Sequence, residues 1–218
     1  MKIILAGDST VAACPSHEYP MSGWGPALPP HVYRWAAVHN LAKGGASTES
    51  FREEGLWEAA LALARTGDAV VLQFGHNDQK REHLAPRAGY AANLRRMVGE
   101  VRERGAVPVL CTPVERRQFV GGRPEPTLGD YPATVRELGL ELGVGVIDLN
   151  AWTRSLYGEL GEDGSIRLFT HLARGEHHHW ADGLEDNTHF SVEGAERVAR
   201  HVAEQLAPLV REPEAARG

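Results

Sequence analysis

Short apolar runs separated by longer stretches of mixed polarity set the pattern of this chain. Residues 2–6, 35–40, 69–74, 107–112 and 144–148 are each rich in Val, Ile, Leu or Ala and bounded by Gly, Pro or polar residues. Runs of this length without polar alternation read as strands buried on both faces, the pattern of a parallel sheet covered by helices on each side. Between the third and fourth runs, Ala91, Leu94, Met97, Val98 and Val101 recur at helical spacing, with Arg95, Arg96, Arg102 and Glu103 opposite and Gly105 as the expected stop. Asp130 is placed to cap a further helix, with Pro132 in its first turn, Val135, Leu138 and Leu142 facing the sheet, and Gly143 at its end. A last helix is expected after Ser191, burying Ala195, Val198, Ala199, Val202 and Leu206.

This alternation predicts an α/β fold. A length of 218 residues suits one domain, expected over residues 1–211, with 212–218 fraying because they have little to bury. Two stretches interrupt the alternation: residues 14–30, rich in Pro and Gly, and residues 168–184, which hold His171, His177, His178, His179 and Trp180. Long loops in a compact domain tend to carry function, so both are candidate walls of a site.

Composition narrows the partners. A net charge of -6 and a pI near 6.0 argue against nucleic acid, and no polybasic or amphipathic anchor points to a membrane. An acidic ligand would be repelled unless a local basic patch offsets the overall charge. No run approaches the roughly 20 apolar residues of a membrane span. The chain enters its first strand directly after Met1, without the apolar segment of a signal peptide, so a cytoplasmic location is expected. Cys14 and Cys111 are too few for a disulfide framework and are expected as reduced thiols. None of these patterns speaks to oligomeric state.

In open α/β sheets, ligands bind outside the carboxyl ends of the strands. Ser9 follows the first strand, Gly44-Gly45 the second and Gly75-His76-Asn77-Asp78 the third, so the three loops converge on one edge. A serine after a strand is most often a helix cap. Asp186 and His189, three residues apart near the other terminus, change that expectation: they supply a base for a nucleophilic Ser9 and a carboxylate to orient that base. The backbone N–H groups of Ser9 and Gly45 and the side-chain amide of Asn77 are candidate donors to an oxyanion. Gly44-Gly45 also suits a plain turn, and Asn77 an Asx turn. Asp8 is expected to brace the turn rather than to move protons. Trp24, His76, His179 and Trp180 are candidate substrate contacts, although for an isolated Trp such as Trp24 burial in the core is the default. The run His177-His178-His179 lacks the i, i+4 convergence of a helical zinc site and has no cysteine near, so no metal is expected.

Gly7-Asp8-Ser9, the glycine after Asn40-Leu41-Ala42-Lys43, Gly75-His76-Asn77-Asp78 and Asp186-x-x-His189 together resemble the four blocks of the SGNH (GDSL-type) hydrolases. The resemblance implies a three-layer α/β/α sandwich of flavodoxin-like type with a five-stranded parallel sheet. It implies Ser9 as nucleophile, His189 as base, Asp186 as orienting acid, an oxyanion hole of Ser9, Gly45 and Asn77, and no metal or cofactor. Gly7-Asp8-Ser9-Thr10, Gly23-Trp24-Gly25 and Gln73-Phe74-Gly75-His76-Asn77-Asp78 are most similar to the rhamnogalacturonan acetylesterases, although Ala46 stands where those enzymes usually place Arg. The implied function is a serine esterase that removes O-acetyl groups from plant cell-wall-derived oligosaccharides, of pectin/rhamnogalacturonan or xylan type, through an acetyl-enzyme. The alternatives are a lysophospholipase or thioesterase using the same machinery, and a non-catalytic carbohydrate-binding module on this fold.

Overall fold

The computed structural model describes residues 1–210. In chain order the strands are β1 (Lys2–Gly7), β2 (Met21–Ser22), β3 (Ala37–Asn40), β4 (Ala69–Gln73), β5 (Val107–Cys111), β6 (Phe119–Val120), β7 (Arg123–Pro124), β8 (Gly145–Ile147), β9 (Phe169–Leu172) and β10 (Leu184–Ser191). The helices are α1 (Pro29–Val32), α2 (Ser50–Glu53), α3 (Leu56–Leu63), α4 (Ala91–Glu103), α5 (Tyr131–Leu142), α6 (Leu149–Ser165) and α7 (Val192–Val210).

The five apolar runs form one parallel sheet in the order β3-β1-β4-β5-β8. Successive side chains of a strand point to opposite faces. Ile3 and Leu5 of β1 therefore join Val71, Val109 and the α7 residues Val198 and Val202 on one face. Ile4 and Ala6 join Val70, Leu72, Leu110, Leu94 of α4 and Val135 of α5 on the other. These four β1 side chains are fully buried, which explains why the strand carries no polar alternation after Lys2. The chain leaves β1 for β3 on one flank and continues to β4 on the other, so the order reverses beside β1. The loops that follow β1 and its neighbours flank the crevice where this topology binds ligands.

The expected helices form with the expected buried faces: Leu94, Met97, Val98 and Val101 in α4, Val135 and Leu138 in α5, and Ala195, Val198, Ala199, Val202 and Leu206 in α7. Ser191 caps α7, its Oγ accepting from the Gly194 N–H at 3.3 Å. Asp130 does not cap α5; its carboxylate pairs with Arg87 instead.

Two features depart from the sequence pattern. Helix α6 was not anticipated, because Gly158, Gly161 and Gly164 dilute its periodicity and Gly161 breaks its backbone at φ 71°. Residues 168–184 are not one loop: they begin in β9, and β10 follows, both belonging to a small antiparallel sheet in the order β2-β10-β9. The expected fraying of 212–218 lies outside the described residues. Among the described residues no helix is long and apolar enough to cross a membrane.

Candidate active site

The turn after β1 is held by a buried polar network drawn from three of the sequence blocks. Asp8 is fully buried; its Oδ1 accepts from the Thr10 N–H at 3.0 Å and the Thr10 hydroxyl at 2.7 Å, and its Oδ2 lies 3.2 Å from Nδ1 of His76. The Thr10 oxygen accepts from Nε2 of Gln73 at 2.5 Å, and Gln73 Oε1 accepts from Nε1 of Trp24 at 2.8 Å. Burial opposes ionisation of Asp8, but the charge and hydrogen bond of His76 and the two Thr10 donors hold its carboxyl below the usual range. Asp8 thus braces the turn on which Ser9 stands.

The same network corrects two expected substrate contacts. Trp24 is fully buried and His76 is 3% exposed, so neither can meet a sugar. Gly23 and Gly25 flank Trp24 because a Cβ at either would strike the backbone of Val11 or Ala12. The Gly-Trp-Gly motif is a packing device beneath the site.

Ser9, His189 and Asp186 meet as a relay. His189 Nε2 lies 2.9 Å from Ser9 Oγ, and His189 Nδ1 lies 2.7 Å from Asp186 Oδ2. Asp186 Oδ1 accepts from the N–H groups of Thr188 at 2.7 Å and His189 at 2.8 Å, which locks the carboxylate onto its own turn. Burial opposes the charge on Asp186, yet the hydrogen bonds and charge of His189 keep its carboxyl below the usual range. Burial likewise disfavours imidazolium at His189, and it is outweighed by the Asp186 hydrogen bond and charge, with Asp8 and Glu18 adding to the pull; the His189 pKa is raised.

A bulge explains how residues three apart in a strand cooperate. The ladder between β10 and β9 shifts register between Glu185 and Phe190, and Asp186 to His189 occupy that gap. A regular strand would send positions i and i+3 to opposite faces; the bulge re-aims them, as bulges beside sites commonly do. Arg117 pins the bulge from the loop after β5. Its N–H donates to the Asn187 carbonyl at 2.8 Å and its Nη1 to Asn187 Oδ1 at 2.9 Å, while His171 Nε2 lies 3.0 Å from the same oxygen.

Opposite His189, Gly45 turns the chain at φ 79°, a left-handed conformation that favours glycine. Among the described residues, neither the Ser9 nor the Gly45 N–H donates to a protein acceptor. Asn77 makes no Asx turn: its Nδ2 reaches across to the Ala46 carbonyl at 3.0 Å, and its Oδ1 accepts from Nζ of Lys80 at 3.0 Å. Among the described residues the second amide hydrogen of Asn77 meets no protein acceptor. Ala46 does not face the cleft; it is 2% exposed, packs in the core beneath and offers its carbonyl to Asn77. Donors placed in this way stabilise a negative oxygen only as it develops. Asn77→Ala is therefore expected to lower kcat by about 10²–10³-fold with little change in KM, measured by steady-state ester hydrolysis.

These groups line a cleft of about 680 Å³ whose walls include Ser9, His189, Gly45, Asn77, Lys80 and Trp180. Trp180 stands at the wall. His179 stands outside the lining, edge-on to Trp180 at 4.9 Å between ring centroids. Glu18, Lys43 and Lys80 also line the cleft and escaped the sequence reading. Lys80, three residues after Asn77 in a helical turn, was the one with a local signal. Below the cleft, Asp78 accepts from the Thr48 N–H at 3.0 Å and hydroxyl at 2.6 Å, and burial pushes its pKa up to about 6.

Comparisons with known proteins identify the family and the fold. The model of the GDSL-like lipase/acylhydrolase family matches residues 5–197. Rhamnogalacturonan acetylesterase RhgT of Bacillus subtilis is 47% identical over 210 residues, covering 96% of this chain and 90% of its own length. The crystal structure of YxiM from Bacillus subtilis superposes with a TM-score of 0.81 at 29% identity over 95% of this chain, which spans 56% of that longer protein. Axe2, an acetylxylan esterase from Geobacillus stearothermophilus, shares the fold with a TM-score of 0.68 at 19% identity, covering 97% of both chains.

Proposed function

Because this chain belongs to the GDSL-like lipase/acylhydrolase family and is a carboxylic ester hydrolase, we propose that it removes O-acetyl groups from acidic, pectin-derived oligosaccharides of rhamnogalacturonan type. The observation that carries this reading is the Ser9–His189–Asp186 relay in a chain 47% identical to a rhamnogalacturonan acetylesterase. Ser9 Oγ attacks the acetyl carbonyl carbon as its proton passes to His189 Nε2. The carbonyl oxygen becomes an anion held by the N–H groups of Ser9 and Gly45 and the Asn77 amide. The C–O bond to the sugar breaks, and the leaving oxygen takes the proton from His189. Water then attacks the acetyl-serine, giving its proton to His189, and acetate departs as Ser9 Oγ recovers that proton.

Charge supports the pectic choice over neutral xylan. The protein carries a net charge of -6, which repels a polyuronate at a distance. Lys80, on the cleft wall beside Asn77, is the cation on which a galacturonate carboxylate can settle; Lys43 on the same wall is paired with Glu54. Trp180 offers a face for a sugar ring. Residues 1–211 act as one hydrolase domain in this reading, and both core clusters rest on the strands of a single sheet. A cytoplasmic location belongs to it as well: the unpaired thiols Cys14 and Cys111 suit a reducing compartment, and cell fractionation tests it.

Two substrate series test the proposal. Acetate release from acetylated rhamnogalacturonan oligosaccharides should exceed that from acetylated xylo-oligosaccharides and weaken with added salt. Rates on p-nitrophenyl esters should fall steeply from acetate to octanoate. A rate that climbs toward long acyl chains would assign the cleft to lipid or thioester substrates instead.

A further inference from the structure

The turn that holds His17 and Glu18 and the loop that holds His179 meet at the rim of the cleft. One ligand atom from each of His17, Glu18 and His179 lies within 4.8 Å of the others, and the two imidazole rings meet edge to face at 4.7 Å between centroids. The run 177–179 lacks the i, i+4 convergence of a helical zinc site, which is why it suggested no metal. The fold removes that objection by taking a single donor from the run and two from a distant turn.

We propose that His17, Glu18 and His179 bind a divalent transition-metal ion that clasps the two loops together over the cleft. Two imidazoles and a carboxylate form a borderline donor set suited to zinc, with a fourth position left for water. Ligand bonds of about 2.0–2.2 Å place tetrahedral donors about 3.4 Å apart, so the three side chains have up to about 1.4 Å to close. His177 shapes the loop for this role: its Nδ1 accepts from the His179 N–H at 3.1 Å, and its ring lies 4.9 Å from that of Trp180. Glu18 and Trp180 both line the cleft with Ser9 and His189, so an ion at the clasp fixes Trp180 against the substrate. None of the three ligands belongs to the proton relay.

Isothermal titration of the chelator-stripped chain with zinc chloride tests the site without reference to esterase activity. One equivalent is expected to bind at micromolar zinc or below. His17→Ala and His179→Ala, in separate loops, should each weaken binding at least tenfold, while His178→Ala should bind as the wild type does. Unchanged melting temperatures of the metal-free variants exclude misfolding as the cause. Wild-type affinity in His17→Ala would place zinc on the histidine run alone and overturn the site, as would absence of binding to the wild type. The clasp itself rests on the esterase reading and is tested separately. Zinc should lower KM for an acetylated oligosaccharide at constant kcat and slow protease cleavage within residues 173–183; binding without either change would overturn it.

Discussion

Replacing Ser9 with alanine is expected to abolish ester turnover, lowering kcat by ~10⁶-fold, the scale seen when a serine hydrolase loses its nucleophile. Substrate binding and melting temperature should stay near wild type, because among the described residues the Ser9 side chain is bonded to His189 alone and contributes nothing to either core cluster. Acetate assays read the loss, and calorimetry with an acetylated oligosaccharide reads the retained binding. Equal loss of binding and turnover would mean that the turn after β1 had collapsed. Retained turnover would move the chemistry to another residue.

Asp186→Asn is expected to lower kcat by ~10⁴-fold, since the amide no longer holds the imidazole in the tautomer that accepts from Ser9. It should also move the pH profile, in a direction that follows from the electrostatics. His189 acts as a base only when neutral, so activity rises as pH passes upward through its pKa. In the wild type that pKa is raised above the ordinary value of about 6.5, in large part by the hydrogen bond and charge of Asp186. Removing the carboxylate lowers it, and the acid limb of kcat/KM should shift to lower pH even as the plateau falls. The fold should survive, because an Asn oxygen can still accept from the N–H groups of Thr188 and His189. An acid limb that stays in place would show that another group controls it.

The central sheet was legible because its strands are buried on both faces, leaving unbroken apolar runs such as 2–6 and 69–74. The small antiparallel sheet was not. Strands β9 and β10 carry Thr170, His171, Asp186, Asn187 and His189, and the bulge in β10 erases the alternation that would have marked a strand. Helix α6 was hidden by three glycines, one of which, Gly161, breaks its backbone.

In the site, the placement of Ser9, Gly45 and Asn77 was legible because the loops after parallel strands share one sheet edge, whereas Asp186 and His189 stood out by their spacing alone and sit in the bulge of the antiparallel β10. Residue type alone misled at His76, which looks like a sugar contact and is a buried support, while Trp24 takes the core role that was the default for an isolated Trp. The glycines on either side of Trp24 were the overlooked signal of close backbone approach. Arg117 could not be found at all, because its partner Asn187 lies 70 residues away and no local pattern links them.

The central claim is that Ser9 carries the acyl group during turnover. Acid-quenching the wild-type enzyme while it hydrolyses an acetylated oligosaccharide, then mapping the digested protein by mass spectrometry, tests it most directly. An acetyl group on the peptide containing Ser9, absent from the Ser9→Ala variant, is the predicted result. An acetyl group on a different side chain, or acetate release by Ser9→Ala at the wild-type rate, would contradict it.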